Sequence, residues 1–182
     1  MNSRNRVYQL AVAALLSAIG ILIPMLSPIK LVLEPASFTL ASHVAIFLAM
    51  FISPTVAAFV TVGTTLGFFL GGFPIVIVAR AASHIIFVMT GALFLKKKPN
   101  TLDTHTSTAV FALLVSLVHA AGEVLVVIPF YLSSNMAEGY YTSGFMVSVL
   151  LLVGVGTIVH SMVDFYISYF IWKPIKKAMP KL

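Results

Sequence analysis

The chain has 182 residues, of which 60% are hydrophobic and 9% charged, with a formal net charge of +6. Soluble domains carry roughly 25% charged residues, so this composition cannot build a water-facing surface, and lipid is the solvent it fits. The absence of cysteine excludes disulfides, thiolate metal sites and thiol nucleophiles; spans of about 20 residues use up the length, leaving no room for a soluble catalytic or nucleotide-binding domain.

The pattern predicts an all-α membrane protein: one domain over residues 1–182, a bundle of six transmembrane helices. Arg4 and Arg6 followed by an apolar run have the look of a signal peptide. The run from Val7 to Met25 is long for an h-region, however, and reaches Pro24 and Pro28 without a small-x-small cleavage site, so it reads as a retained first helix. Span 1 covers Val7 to Ile23 and stops at Pro24. A polar outer loop follows from Ser27 to Ser37, containing Lys30, Glu34 and Pro35. Span 2 covers Phe38 to Ile52, and Ser53-Pro54 makes a tight turn with Pro54 suited to the first position of span 3. Span 3 ends near Leu70, Gly71-Gly72-Phe73-Pro74 turns the chain, and span 4 ends near Leu95. Span 5 covers Ser107 to Leu132 with a kink expected at Pro129. Span 6 covers Gly144 to Trp172, ended by Pro174. Spans 2 and 3 are short, as expected of tilted or partly re-entrant segments.

Basic residues set the orientation. Arg4 and Arg6, Lys96 to Lys98, and Lys173, Lys176, Lys177 and Lys181 fall on one side of a six-span chain, and only Lys30 on the other. This positive-inside bias places both termini in the cytoplasm. It also explains the basic charge without nucleic acid.

Small residues mark close helix approach. Gly63, Gly67 and Gly71 recur every four residues on span 3 and read as internal packing. Ala14 and Ala18 make a flat stripe on span 1 that can face an internal neighbour or another protein.

Charges inside a bilayer cost at least ~2.5–3.5 kcal/mol on insertion scales and mark functional sites by default. Arg80 with His84, His119 with Glu123, and His160 with Asp164 are each four residues apart, hence on one helical face. Counting about 1.5 Å per residue from the outer ends puts Arg80, His84, His119, Glu123 and His43 in one outward-facing cavity. The same count puts His160 near its floor and Asp164 too deep to join. Tyr131, Asn135, Tyr140 and Tyr141 cluster at the outer end, where they could line or cover the mouth. Arg80 can hold a carboxylate in a bidentate fork. If it pairs with Glu123 instead, a neutral or cationic substrate is expected. The chain carries no His-Glu-x-x-His, Gly-x-Ser-x-Gly or phosphate-loop signature, and Arg80 beside the histidines argues against a cation. No enzyme, metal or cofactor is therefore expected.

Short spans in this topology, Ala14-Leu-Leu-Ser-Ala18 on span 1, the outer loop running into Leu33-Glu34-Pro35-Ala36-Ser37-Phe38-Thr39-Leu40-Ala41-Ser42-His43, and Gly63-Thr64-Thr65-Leu66-Gly67-Phe68-Phe69-Leu70-Gly71-Gly72-Phe73-Pro74 resemble the substrate-binding S components of energy-coupling factor (ECF) transporters. The resemblance covers almost the whole chain. It implies a bacterial plasma-membrane subunit that binds a water-soluble vitamin from outside. It further implies a site capped by the first outer loop, Ala14 and Ala18 on a docking face, and delivery by toppling with a membrane coupling subunit and two cytoplasmic ATPases. The loop and span 3 most resemble the niacin-type branch, with pantothenate, hydroxymethylpyrimidine or pyridoxine, and folate as the other substrates. A stand-alone proton-coupled carrier using Glu123, His119 or Asp164 is the rival reading, and the small size argues against it.

Overall fold

The first helix, α1, runs over Ser3–Leu26 in a computed structural model that describes residues 3–33, 36–136 and 138–178. Glu34, Pro35 and Lys181, which carried sequence readings above, lie outside the described residues. Pro24 does not stop α1 but sits inside its last turn. The outer loop folds into an antiparallel hairpin, β1 (Lys30–Leu33) with β2 (Ala36–Thr39), in register Lys30 to Thr39 and Leu33 to Ala36. The sequence alone reads as a loop over this segment; the other regular elements among the described residues are helical, as expected.

Span 2 is corrected most. Phe38 belongs to β2, and the helix that follows, α2, covers only Val44–Ile52. Nine residues reach about 13.5 Å, far short of a ~30 Å hydrocarbon core. Every residue from Val44 to Phe51 is buried, the mark of a helix enclosed by protein. Its neighbours are α1, α3 (Pro54–Leu70), α4 (Ile75–Lys97) and α7 (Gly156–Ala178). Ser53 accepts from the Val56 N–H at 3.2 Å and Pro54 opens α3, as the sequence indicated. Gly72 at φ +74° makes the turn into α4.

Beyond α4, a 3₁₀ turn over Pro99–Leu102 leads to α5 (His105–Leu132). A short helix, α6 (Gly139–Thr142), precedes a π-helical stretch over Met146–Val155 that continues into α7. Pro174 lies within α7, which runs on to Ala178. Among the described residues, four helices are long and apolar enough to cross a membrane: Val7–Leu26, Ile75–Lys97, His105–Leu132 and Met146–Ala178, with Pro54–Leu70 shorter. The chain is thus an α-helical membrane protein in which two of the six expected segments fall below spanning length.

Helices α1 and α3 approach through glycine. A Cβ on Gly63 would stand 2.7 Å from Ser17 Oγ, and one on Gly67 would overlap the Ile21 side chain. The internal-packing reading of these two positions therefore holds. Gly71 instead closes the end of α3 beside Phe73. The half of the bundle away from the hairpin is an aromatic core around Phe47, Phe87 and Phe165, which are fully buried, with Phe47 and Phe165 edge-on at 5.4 Å. The buried ionisable groups, His43, His84, His119, Glu123 and Asp164, gather at one end of this core, around the start of α2.

Candidate functional site

Asp164 on α7 organises the entry into α2. The hairpin hands the chain to a turn in which Ala41 holds φ +66°, a conformation uncommon for a residue with a Cβ. Asp164 fixes that turn. Its Oδ1 accepts from the Ala41 N–H at 2.8 Å, and its Oδ2 accepts from the His43 N–H at 2.9 Å and from His43 Nδ1 at 3.1 Å. A carboxylate here satisfies amides left open at a helix start and complements the helix dipole. Asp164 does not line the neighbouring cavity, in keeping with the depth count, but that count missed its bonds to the turn and to His43. The count assumed a span beginning at Phe38; the helix begins six residues later, and His43 reaches the middle of the cluster.

His43 is the hub. Its ring lies 4.9 Å from that of His84, 4.8 Å from His119 and 5.0 Å from His160, each pair edge-on. His160 Nε2 stands 3.0 Å from Ser42 Oγ and 3.4 Å from Asp164 Oδ2. His119 Nδ1 lies 3.1 Å from Ser161 Oγ, and the Phe87 ring stacks on His119 at 4.2 Å.

Glu123 on α5 collects partners from α4 and α7. Arg80 Nη2 donates to its Oε2 at 2.8 Å, and Thr157 Oγ donates to the same oxygen at 2.6 Å. Its Oε1 faces His84 Nε2 at 3.2 Å and His119 Nε2 at 3.6 Å. Of the two roles open to Arg80 in the sequence, the structure assigns it the ion pair. A guanidinium has five N–H donors, however, and the buried Arg80 Nε has no partner.

Above these groups lies a cavity of about 160 Å³. A buried water needs ~10–15 Å³ of such space, so the room is that of a small molecule. Arg80, His84, Glu123, His43 and His160 line it, as do Thr157, Ser42 and Thr64. His119 and Asp164 stand behind it. The apolar wall includes Phe38, Phe68 and Phe73, the last two stacked at 4.7 Å. Thr64 and Thr157 were missed by the sequence reading. Thr64 Oγ is buried without a partner, and only its place in the Gly63-Thr64-Thr65 run, read as packing, signalled it.

Two expected mouth residues lie elsewhere. Tyr131 packs on Tyr141 at 5.0 Å and Phe145 at 5.4 Å, and exposed Asn135 donates to Ser133 Oγ at 2.9 Å. Neither lines the cavity. Tyr140, on α6, is the tyrosine within electrostatic reach of Arg80: burial raises its phenol above the ordinary value while Arg80 pulls it down. The hairpin supplies the cover. A Cβ on Gly156 would stand 2.6 Å from Phe38 Cζ, so the bare backbone at the start of α7 is what seats the Phe38 ring, 5.5 Å from that of His160. On α1, Ala14 and Ala18 are exposed and turn away from this site, while Ala13, Leu16 and Gly20 on the other face are buried.

No family model matches the chain, and no solved structure matches it. Among curated proteins it is 41% identical over 177 residues to the niacin transporter NiaX of Lactococcus lactis subsp. cremoris (strain MG1363), an alignment covering 97% of this chain and 78% of the relative. Identity of this degree over nearly the whole sequence bears out the niacin-type branch of the resemblance: the chain belongs to the NiaX family of niacin transporters.

Proposed function

We propose that this chain is the substrate-binding S component of an ECF-type transporter in a bacterial plasma membrane, capturing niacin from outside and passing it inward with a membrane coupling subunit and two cytoplasmic ATPases. The observation that carries the reading is the polar cavity under the Phe38 cover, lined by Arg80, His84, Glu123, His43 and Thr64. Niacin is a planar pyridine carboxylate. Arg80 keeps donors beyond the one given to Glu123 and meets the carboxylate with a charge-assisted bond. The Thr64 hydroxyl or a histidine N–H donates to the ring nitrogen, and Phe68 and Phe73 face the ring. The site would be built by Arg80, His84, Glu123 and His43 around the ligand, with His119 holding Glu123 from behind. Tyr131 and Asn135 have no direct part.

The basic loops place both termini in the cytoplasm. The exposed Ala14–Ala18 stripe on α1 then offers a smooth helix face for the coupling subunit. Energy conversion then falls to the ATPase partners. Reconstitution tests the division of labour. Liposomes holding only this chain are expected to show no niacin uptake under a proton gradient, and uptake should arise when the coupling subunit, ATPases and ATP are supplied. Gradient-driven uptake by the chain alone would establish a proton-coupled carrier instead.

A further inference from the structure

The three imidazoles beneath the cavity are arranged in a way that a carboxylate receptor does not need. His43, His84, His119 and Glu123 each offer one ligand atom, and these four atoms lie within 4.8 Å of one another. All four residues are buried. Three of the four are held by a hydrogen bond from the far side, while His84 turns Nε2 to Glu123 Oε1 at 3.2 Å and its Nδ1 has no partner. His43 donates Nδ1–H to Asp164 at 3.1 Å, which leaves the lone pair on Nε2. His119 Nδ1 engages Ser161 Oγ at 3.1 Å, leaving Nε2 buried and without a hydrogen-bond partner. Arg80 and Thr157 both occupy Glu123 Oε2, so Oε1 is the oxygen turned to His84 and His119. An imidazole anchored by a carboxylate, another by a hydroxyl, and a hydrogen-bonded carboxylate are outer-shell contacts of the kind that orient metal ligands.

We propose that His43, His84, His119 and Glu123 bind one late first-row divalent cation, of the Zn²⁺, Co²⁺ or Ni²⁺ type, directly beneath the substrate cavity. Three imidazoles and one carboxylate are a ligand set such ions favour. Tetrahedral coordination at ~2.0–2.1 Å needs ligand atoms about 3.4 Å apart, so binding would draw the four atoms inward from their present separations of up to 4.8 Å. Arg80 does not oppose the ion, because its guanidinium is directed at Glu123 Oε2 and fixes that carboxylate for coordination through Oε1. Charge balance adds an independent reason. Glu123 and Asp164 act only as hydrogen-bond acceptors, as ionised carboxylates do, and Arg80 is the single guanidinium facing them. With the imidazoles neutral, the centre is negative before any ligand arrives, and an incoming carboxylate would add to that charge in a membrane interior. A divalent cation makes the centre positive and the complex with a monoanion neutral. This second reason rests on the niacin reading; the ligand geometry does not.

The test uses the full, tag-free chain purified in detergent and stripped with chelator. Zn²⁺ and Co²⁺ are titrated by calorimetry, and Co²⁺ is followed in the visible spectrum, where four-coordinate nitrogen and oxygen ligation gives strong bands. One equivalent is expected to bind with those bands. His84→Asn and His119→Asn should weaken binding at least tenfold, while His105→Asn, on an exposed residue at the start of α5, should not. Failure of the intact wild type to bind stoichiometrically, or to give the bands, overturns the site even if a variant misfolds. So does binding that His84→Asn and His119→Asn leave unchanged. Niacin is titrated separately into stripped and Zn²⁺-loaded chain. Tighter binding to the loaded form is expected. Equal affinity in both, or affinity that follows pH and not metal, would mean that protons on the imidazoles supply the countercharge and would overturn the metal's role. Absence of niacin binding in both forms would contradict the vitamin reading, while the metal titration still decides the site.

Discussion

Glu123 and Asp164 are both buried carboxylates, on helices α5 and α7 that pack against each other, yet they are held by opposite kinds of partner. Asp164 accepts from two backbone amides of the turn into α2, so its bonds fix the path of the chain. Glu123 accepts from side chains on α4 and α7 and lines a cavity. One carboxylate is architectural and the other faces a cavity, with His43 bonded to the first and packed against the rings that surround the second. A charge inside a membrane helix is thus not a uniform sign of substrate contact: what it bonds to, backbone or mobile side chain, separates the two uses.

Substitutions that remove one carboxylate or its partner break this comparison most directly. Asp164→Ala should have the largest effect, since it leaves two backbone amides and an imidazole without their acceptor. Each orphaned group costs about 1–3 kcal/mol, and little monodisperse, folded chain should survive purification and a thermal-unfolding scan. A variant that unfolds like the wild type would remove the architectural role. Arg80→Lys comes next. It keeps the charge opposite Glu123 but loses the planar fork, so niacin affinity should fall at least tenfold, about 1.4 kcal/mol, with the melting temperature nearly unchanged. Unaltered affinity would take Arg80 out of ligand contact. Arg80→Ala is a poorer probe, because it would leave Glu123 buried without its cation, a loss of ~3–5 kcal/mol.

Gly156→Ala sharpens the role of the cover. The added methyl meets the Phe38 ring, and such overpacking costs ~1–3 kcal/mol. Faster niacin release, with association little changed, is expected in stopped-flow measurements; an unchanged release rate would detach the hairpin from the site. Ala14→Trp and Ala18→Trp should be the mildest in the purified chain. They lie on an exposed face, where substitutions stay within about 0.5 kcal/mol, and niacin binding should be untouched while uptake with the coupling module is abolished. Normal uptake would remove the stripe from the docking surface.

The comparison also shows how far the sequence could be read. Spacing of four placed Arg80 with His84 and His119 with Glu123 on single helix faces, and the structure brings all four together, because helical periodicity is a local property that packing preserves. The partner of His43 was not legible. Residue counting treated Phe38 to Ile52 as one apolar run, whereas the first part pairs as a strand and only nine residues become helix. Apolar strand and buried helix share a composition, so hydropathy does not separate them. Thr64 and Thr157 were invisible for another reason. A single hydroxyl in an apolar helix commonly bonds its own backbone, as Thr61 and Thr65 do, and only the fold shows that Thr64 does not. Tyr131 and Asn135 were placed at the mouth by their position near helix ends, which says nothing about the direction in which a side chain points.

The central claim is that this chain by itself holds niacin in the cavity beside Arg80. Calorimetric titration of niacin into the purified, detergent-solubilised chain, with pantothenate as the competing monocarboxylate, tests it most directly. One niacin bound per chain, tightly and in preference to pantothenate, and weakened by Arg80→Lys, is the expected result. A folded chain that binds no niacin, or binds it equally well after Arg80→Lys, would contradict it.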